Sequence, residues 1–136
     1  MNIAVYCSSR PNLDQRYIDV ARALGAWIGR HGHTLVYGGV DAGLMHVTAE
    51  AVKQNGGQVT GVIISKFLSR ADALVDTMVT TADLNERKSR MYALSDLHVV
   101  LPGGIGTIDE WMSALSQMVI DHHKGVGILV VNMDGM

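Results

Sequence analysis

The sequence predicts a single α/β domain, 1–136, with a Rossmann-like, doubly wound parallel sheet and helices on both faces. Short apolar and β-branched runs alternate with segments of helical periodicity, which is typical of parallel strands joined by crossover helices. Two glycine-rich turns, 38–43 and 103–106, each lie between an expected strand and an expected helix. With 136 residues, of which 48% are hydrophobic, the chain is long enough for one domain with a substantial core.

The strands are predicted from short runs of apolar residues that turn signals separate. The fourth run follows an irregular stretch, so its limits are the least well defined. We expect five or six strands, at 3–7, 34–37, 59–64, 75–79, 97–101 and 126–131.

Four helices are predicted between these strands from apolar residues at three- and four-residue spacing. Asn12 and Gln15 have the spacing of a capping box at the start of the first helix, which ends near His31. Its expected core positions are Leu13, Tyr17, Val20, Leu24, Trp27 and Ile28. The other helices are expected at 44–54, 83–94 and 107–120. In the last helix the expected core positions are Ile108, Trp111, Met112, Leu115, Met118 and Val119.

The chain ends directly after the last expected strand, where a doubly wound domain usually adds a covering helix. We therefore expect that domain 1–136 lacks its C-terminal helix or helices, or that a partner covers this face.

Composition argues against several classes of protein. A net charge of −2 with scattered basic residues is unlike a nucleic-acid-binding surface, and no apolar run is long enough to span a membrane. Cys7 is the one cysteine, so no intrachain disulfide can form, which fits a reducing compartment such as the cytoplasm. The six histidines include no helical pair typical of zinc enzymes, so no metal site is expected.

The turn at 103–106 is a candidate anion site. Glycines leave backbone amides free to approach a ligand, and the positive end of a helix dipole lies beside them. No Gly-Lys-Ser/Thr sequence follows, so the turn is not the P-loop of nucleoside triphosphatases. A monophosphate is the more natural ligand. Ser9 and Arg10 follow the first strand and would lie at the same edge of the sheet.

Arg87 completes the apolar stripe of helix 83–94, so a guanidinium is expected on its inward face. A buried arginine needs an anionic partner, which could be a ligand phosphate or a carboxylate of the protein. A structural pair with Glu86, or a side chain that reaches the solvent at the edge, remains the alternative. Asp83 and Glu86 fit a capping box, so Glu86 is expected to be structural.

Two roles are open for Glu110 from the sequence. Thr107 and Glu110 have the spacing of a capping box, which would make this carboxylate a structural cap. The same carboxylate would lie in the first turn of a helix beside the expected anion site, where it could serve chemistry. The two roles are compatible.

Together these motifs resemble the LOG (Lonely Guy) family of cytokinin riboside 5′-monophosphate phosphoribohydrolases. The resemblance takes in nearly the whole chain, although glycine is usual in the family at the positions of Ser8 and His46. It rests on Glu86-Arg87-Lys88-x-x-Met91, Pro102-Gly103-Gly104-x-Gly106-Thr107-x-x-Glu110, Cys7-Ser8-Ser9-Arg10 and the turn from Gly38-Gly39 to Gly43-Leu44-Met45.

The resemblance implies a Rossmann-like enzyme that forms homodimers or larger assemblies. It would cleave the N-glycosidic bond of a nucleoside 5′-monophosphate, cytokinin-type or purine, into free base and ribose 5-phosphate. Arg87 and Glu110 match the catalytic pair. Substrate binding is expected from Ser9, Gly39, Met91, Gly103, Gly104, Gly106 and Thr107.

The expected reaction needs no metal and no cofactor. Some relatives were once labelled lysine decarboxylases, but that reaction uses pyridoxal phosphate bound to a lysine, and no lysine here has a suitable context. The alternative to an enzyme is a non-catalytic nucleotide or molybdenum-cofactor carrier. Such a protein would need the glycine turns but not the pair Arg87 and Glu110.

Overall fold

A computed structural model of the chain describes residues 1–121 and 127–133. The strands in this part of the chain are β1 (Asn2–Tyr6), β2 (Thr34–Tyr37), β3 (Gln58–Ile64), β4 (Thr77–Thr81), β5 (Leu97–Val100) and β6 (Gly127–Val130). The α-helices are α1 (Gln15–Arg30), α2 (Gly43–Gln54), α3 (Leu84–Leu94) and α4 (Ile105–Asp121), and a 3-10 helix spans Ser65–Arg70.

All the strands are parallel and lie in the order β4-β3-β2-β1-β5-β6. The chain therefore winds outward from β1 in one direction through β4, then returns to the other side of β1 to form β5 and β6. This is the doubly wound, Rossmann-like α/β fold that the sequence predicts.

One strand lies later in the chain than predicted. β4 pairs with β3 from Thr77 onward, whereas the sequence suggested 75–79. The reason is a corner at Asp76, whose amide donates to the carbonyl of Val59 while its carboxylate accepts the Val59 amide. The predicted last strand, 126–131, includes one residue outside the described part, and β6 agrees with the remainder to within one residue.

The predicted capping box at the start of α1 is wrong. Asp14 is the N-cap, and its carboxylate accepts the amide of Arg16 at 3.0 Å. Asn12 has a φ of 58°, which is left-handed backbone, whereas an N-cap residue has extended backbone. The cap of α3 is confirmed in its main feature, because Asp83 accepts the amide of Glu86.

One face of the sheet is covered by α1 and α2, which pack closely on each other. A Cβ on Gly25 would collide with the carbonyl of Thr48, so the two helices approach at backbone distance. Ile28 is fully buried, but Trp27, a predicted core position, is 39% exposed and stacks with His31. The buried residues of α1 thus include small ones that a search for large apolar side chains overlooks, namely Ala21, Gly25 and Gly29.

The other face is covered more loosely by α3 and α4. Met91 and Ala114 are buried there against β1 and β5. The predicted core positions of α4 are largely wrong, because most of them are exposed and the buried positions are Thr107 and Ala114. The exposed apolar residues of α4 are Ile105, Ile108, Met112, Leu115, Val119 and Ile120. Among the described residues, no helix has the length and apolar character needed to cross a membrane.

Candidate active site

The turns after β1 and β5 meet at the topological switch point of the sheet. β1 and β5 are parallel neighbours, yet the chain leaves them toward helices that pack on opposite faces. The amide of Ser8 donates to the carbonyl of Pro102 at 3.2 Å, which holds the two turns together. Open α/β sheets bind their ligands outside the carboxyl ends of the strands at such a point.

The glycine turn and the first turn of α4 line a cavity of about 340 Å³ at this point. Gly104, Gly106 and Thr107 all belong to its lining, as predicted. Because α4 begins at Ile105, its first amides have no intrahelical acceptor, and the positive end of its dipole lies at the cavity. Backbone in this arrangement can bind a phosphate or another small anion.

Gly103 lies beside this cavity rather than in its lining. A Cβ at Gly103 would collide with the side chain of Thr107, so glycine is needed for the turn to pack against α4. Gly103 instead lines a neighbouring recess with Ser8, Arg10 and Gly104.

Arg87 reaches the cavity from α3. Its Nε donates to the carbonyl of Val62 at 3.1 Å, and a Cβ on Gly38 would collide with its guanidinium, so the end of β2 gives it room. The alternative pair with Glu86 is wrong, because that carboxylate accepts the amide of Ala82. Arg87 forms no ion pair with any described residue. Its other N–H groups are therefore available to an anion.

Further cations lie around the same cavity. Ser9 and Arg10 line it from the turn after β1, and Arg70 lines it from the end of the 3-10 helix. Ser9 and Arg10 are predicted at this edge from the sequence, whereas Arg70 is not. The available signal was that Arg70 belongs to the segment that follows β3, whose carboxyl end lies at the same edge.

Glu110 lies in the second turn of α4 and lines the same cavity. Burial raises the pKa of its carboxyl from the usual 4.5 to about 7, although the positive charge of Arg87 acts in the opposite direction. No hydrogen bond or ion pair joins Glu110 to another described residue. A carboxyl with a pKa near neutrality can both give and take a proton at physiological pH.

The predicted cap formed by Thr107 and Glu110 is wrong. α4 begins at Ile105, two residues earlier than predicted, and the amide of Ile108 donates to the carbonyl of Gly104 in a regular helical bond. Thr107 is consequently inside the helix and buried. Glu110 therefore has no capping role, which removes the structural alternative for this carboxylate.

Glu110 also lines a second, larger cavity of about 690 Å³ between α3 and α4. Tyr6 lies in its wall, and the Tyr6 hydroxyl is 2.8 Å from Nδ1 of the buried His98. Lys88 lies in the same wall and pairs with Asp109 at 3.0 Å. Glu110 thus stands between two recesses, one rich in arginine and the other lined by both helices.

Two predicted substrate-binding residues do not line the arginine-rich cavity. Met91 is fully buried in the core under α3. Gly39 is buried behind the cavity, where a Cβ would lie 3.3 Å from the Cα of Gly61, and its φ is 75°. Gly39 and Met91 therefore support the site from behind in this structure.

Two lysines in the described part of the chain form ion pairs. Lys53 pairs with Asp76, and Lys88 pairs with Asp109.

The fold and this site define a Rossmann-like protein with a cationic cavity at its switch point. Residues 45–136 match the family model described as possible lysine decarboxylase. A cytokinin riboside 5′-monophosphate phosphoribohydrolase of Mycobacterium tuberculosis is 37% identical over 94% of this chain and 69% of its own length. A probable enzyme of the same name from Oryza sativa subsp. japonica is 36% identical over 98% of this chain, which spans about half, 54%, of that relative.

The chain belongs to this family, the LOG family. Among solved structures, the molybdenum cofactor binding protein of Rippkaea orientalis is similar, with a TM-score of 0.80 and 25% identity over 96% of this chain and 77% of that protein. The Moco carrier protein of Chlamydomonas reinhardtii has a TM-score of 0.76 at 24% identity, over 96% of this chain and 76% of its own, and shares the fold.

Proposed function

We propose that this protein hydrolyses the N-glycosidic bond of a nucleoside 5′-monophosphate, releasing the free base and ribose 5-phosphate. The single observation that carries the proposal is Glu110, a carboxyl with a pKa of about 7 in the same cavity as the amides of the glycine turn. The names of the relatives support a nucleoside monophosphate as the substrate.

The phosphate would be bound by the amides at Gly104 to Thr107, with Arg10 and Arg70 nearby to balance its charge. These contacts are remote from the bond that breaks, so their binding energy serves to position C1′ of the ribose. Thr107 would add a hydroxyl donor. Gly103 would keep the turn close to α4 so that the amides stay in place.

Glu110 would act at C1′. As the bond to the base breaks, the ribose gains oxocarbenium character, which a nearby carboxylate stabilises. The carboxylate then takes a proton from the attacking water, whose oxygen becomes the C1′ hydroxyl, and the protonated Glu110 returns this proton to the departing base. Arg87 would bind the ribose phosphate and keep part of the Glu110 population ionised. The substrate is cytokinin-type or a plain purine nucleotide.

Product analysis tests this proposal. The chain would be incubated with AMP and with isopentenyladenosine 5′-monophosphate, and the products separated by chromatography. The expected result is equal amounts of free base and ribose 5-phosphate from at least one nucleotide. Binding of both nucleotides without release of base would contradict the proposal.

A carrier without catalysis is the second candidate, and the similarity to the molybdenum cofactor binding protein of Rippkaea orientalis favours it. Such a carrier has no use for a carboxyl of raised pKa at its phosphate site. Binding that survives Glu110→Gln unchanged, in a chain that never releases base, is the result that would favour the carrier.

We also propose that the protein is a homodimer or a larger homo-oligomer. The apolar side chains on the outer face of α4 support this, since Ile105 is 82% and Val119 is 66% exposed. Light scattering on the parent and on Val119→Glu is the test. A monomeric parent, or an assembly that the charged variant leaves intact, would contradict this role of α4.

A further inference from the structure

Three side chains that are distant in the sequence meet beside the end of β2. Asp41 belongs to the glycine turn, His46 to the start of α2, and Asp72 to the segment after the 3-10 helix. Nδ1 of His46 lies 3.1 Å from Oδ1 of Asp41 and 2.9 Å from Oδ2 of Asp72. One ligand atom from each residue lies within 4.8 Å of the others.

The second ring nitrogen of His46 is held by another carboxylate. Nε2 lies 3.5 Å from Oε2 of Glu50, one helical turn further along α2. Histidines that bind a metal usually donate their other N–H to a carboxylate, which fixes the ring and the tautomer. Nδ1 forms a hydrogen bond with Oδ2 of Asp72, so an ion bound at Nδ1 would take the place of that proton, and the N–H of Nε2 would face Glu50.

The charge of this cluster suits a divalent cation. Three carboxylates surround one imidazole, so a protonated His46 would still leave an excess of two negative charges. The site thus attracts positive charge, and one proton does not balance it.

A buried hydroxyl beside the cluster has no partner. The side chain of Tyr37 is 1% exposed, and its hydroxyl finds no hydrogen-bond acceptor among the described residues. A buried polar group without a partner is rare and calls for a water or an ion nearby.

We propose that Asp41, His46 and Asp72 bind one divalent transition-metal ion, with water completing its coordination. Ligands at about 2.0–2.1 Å from such an ion lie about 2.9–3.4 Å apart, as the Nδ1 to carboxylate separations do. Imidazole with two carboxylates suits Zn²⁺ and similar ions. The Asp41 side chain is 61% exposed, which leaves a path from solvent.

Such an ion would fix one wall of the arginine-rich cavity. The amide of Asp41 donates to the carbonyl of Arg70, and the amide of Asp72 donates to that of Gly39. Val40, next to Asp41, and Arg70 both line the cavity. The ion would join the turn after β2, the start of α2 and the end of the 3-10 helix without touching the substrate.

Calorimetric titration of the whole chain with Zn²⁺, after removal of metal by a chelator, tests the site. The parent should bind one equivalent at a tight site, and His46→Gln should weaken that binding at least tenfold. Asp41→Asn should weaken it too, and because that side chain is exposed, its circular dichroism should match the parent. This second variant keeps the test decisive if His46→Gln folds poorly.

The matched control replaces His31 and His33, a pair of surface histidines that could bind zinc on their own. This double variant, His31→Gln with His33→Gln, should keep the tight site of the parent. The proposal is overturned if the parent binds no zinc, if Asp41→Asn binds zinc as tightly as the parent, or if the control loses the site.

Discussion

The two faces of the sheet are packed differently. On the face of α1 and α2, backbone touches backbone at Gly25, and Ile28 is fully buried. On the face of α3 and α4, Glu110 lies between cavities of about 340 and 690 Å³, and the outer side of α4 is apolar and exposed. The difference teaches that close packing secures the fold on one side, while the other side leaves room for two cavities and for a buried carboxyl between them.

The largest expected effect is on the packed face. Gly25→Ala places a Cβ against the Thr48 carbonyl and should lower the free energy of unfolding by about 2–4 kcal/mol. Gly106→Ala is the matched variant, because a Cβ there meets no atom within 4 Å. It should leave stability unchanged or raise it by up to about 1 kcal/mol. Urea unfolding of both variants checks this, and equal losses would contradict the contrast between the faces.

On the looser face, Arg87→Met should reduce kcat/KM for the nucleotide by about 100-fold, since a positioned cation is lost from the anion site. Arg90→Met, three residues along α3 at an exposed position, should stay within about threefold of the parent. Steady-state kinetics on folded variants measures both. A parent-like Arg87→Met enzyme would mean that this guanidinium serves only the carbonyl of Val62.

A smaller effect concerns stability and pH. Since burial raises the pKa of Glu110 to about 7, the folded chain keeps a proton that the unfolded chain loses above about pH 4.5. The contribution of Glu110 to the free energy of unfolding therefore falls as the pH rises from about 4.5 to 7, and it is constant above that pH. Glu110→Gln should be more stable than the parent by about 1–3 kcal/mol at pH 8 and equal at pH 4. The free energy of unfolding of both proteins, measured at pH 4 and at pH 8, tests this prediction. A variant less stable than the parent at pH 8 would show that the carboxylate is needed for the structure.

Much of the fold could be predicted from the sequence, because apolar runs define buried strands whatever their order in the sheet. The order of the strands in the sheet and the packing of the helices could not be predicted in this way. Trp27 and Leu115 have helical spacing, yet Trp27 is 39% and Leu115 is 41% exposed, while small residues such as Gly25 and Ala114 are buried. Spacing along a helix reports which residues share a side, not which side faces the sheet.

The candidate site was predicted in part. Arg87 and Glu110 line one cavity, as their positions beside the sheet edge suggested. The capping alternative for Glu110 depended on where α4 begins, which a glycine-rich turn leaves open in the sequence. The signal for Arg70 was its place in the segment after β3. The cluster of Asp41, His46 and Asp72 depends on contacts between segments that lie far apart in the chain, so no local pattern reveals it.

The most direct test of the account compares the rate of nucleotide hydrolysis in three proteins: the parent, Glu110→Gln and Asp109→Asn. Asp109 is the neighbouring carboxylate, and it pairs with Lys88 outside the arginine-rich cavity. Release of ribose 5-phosphate should fall by about 10²- to 10⁴-fold in Glu110→Gln and by less than about threefold in Asp109→Asn. A Glu110→Gln protein that keeps its fold and hydrolyses the nucleotide within a few fold of the parent rate would contradict the account.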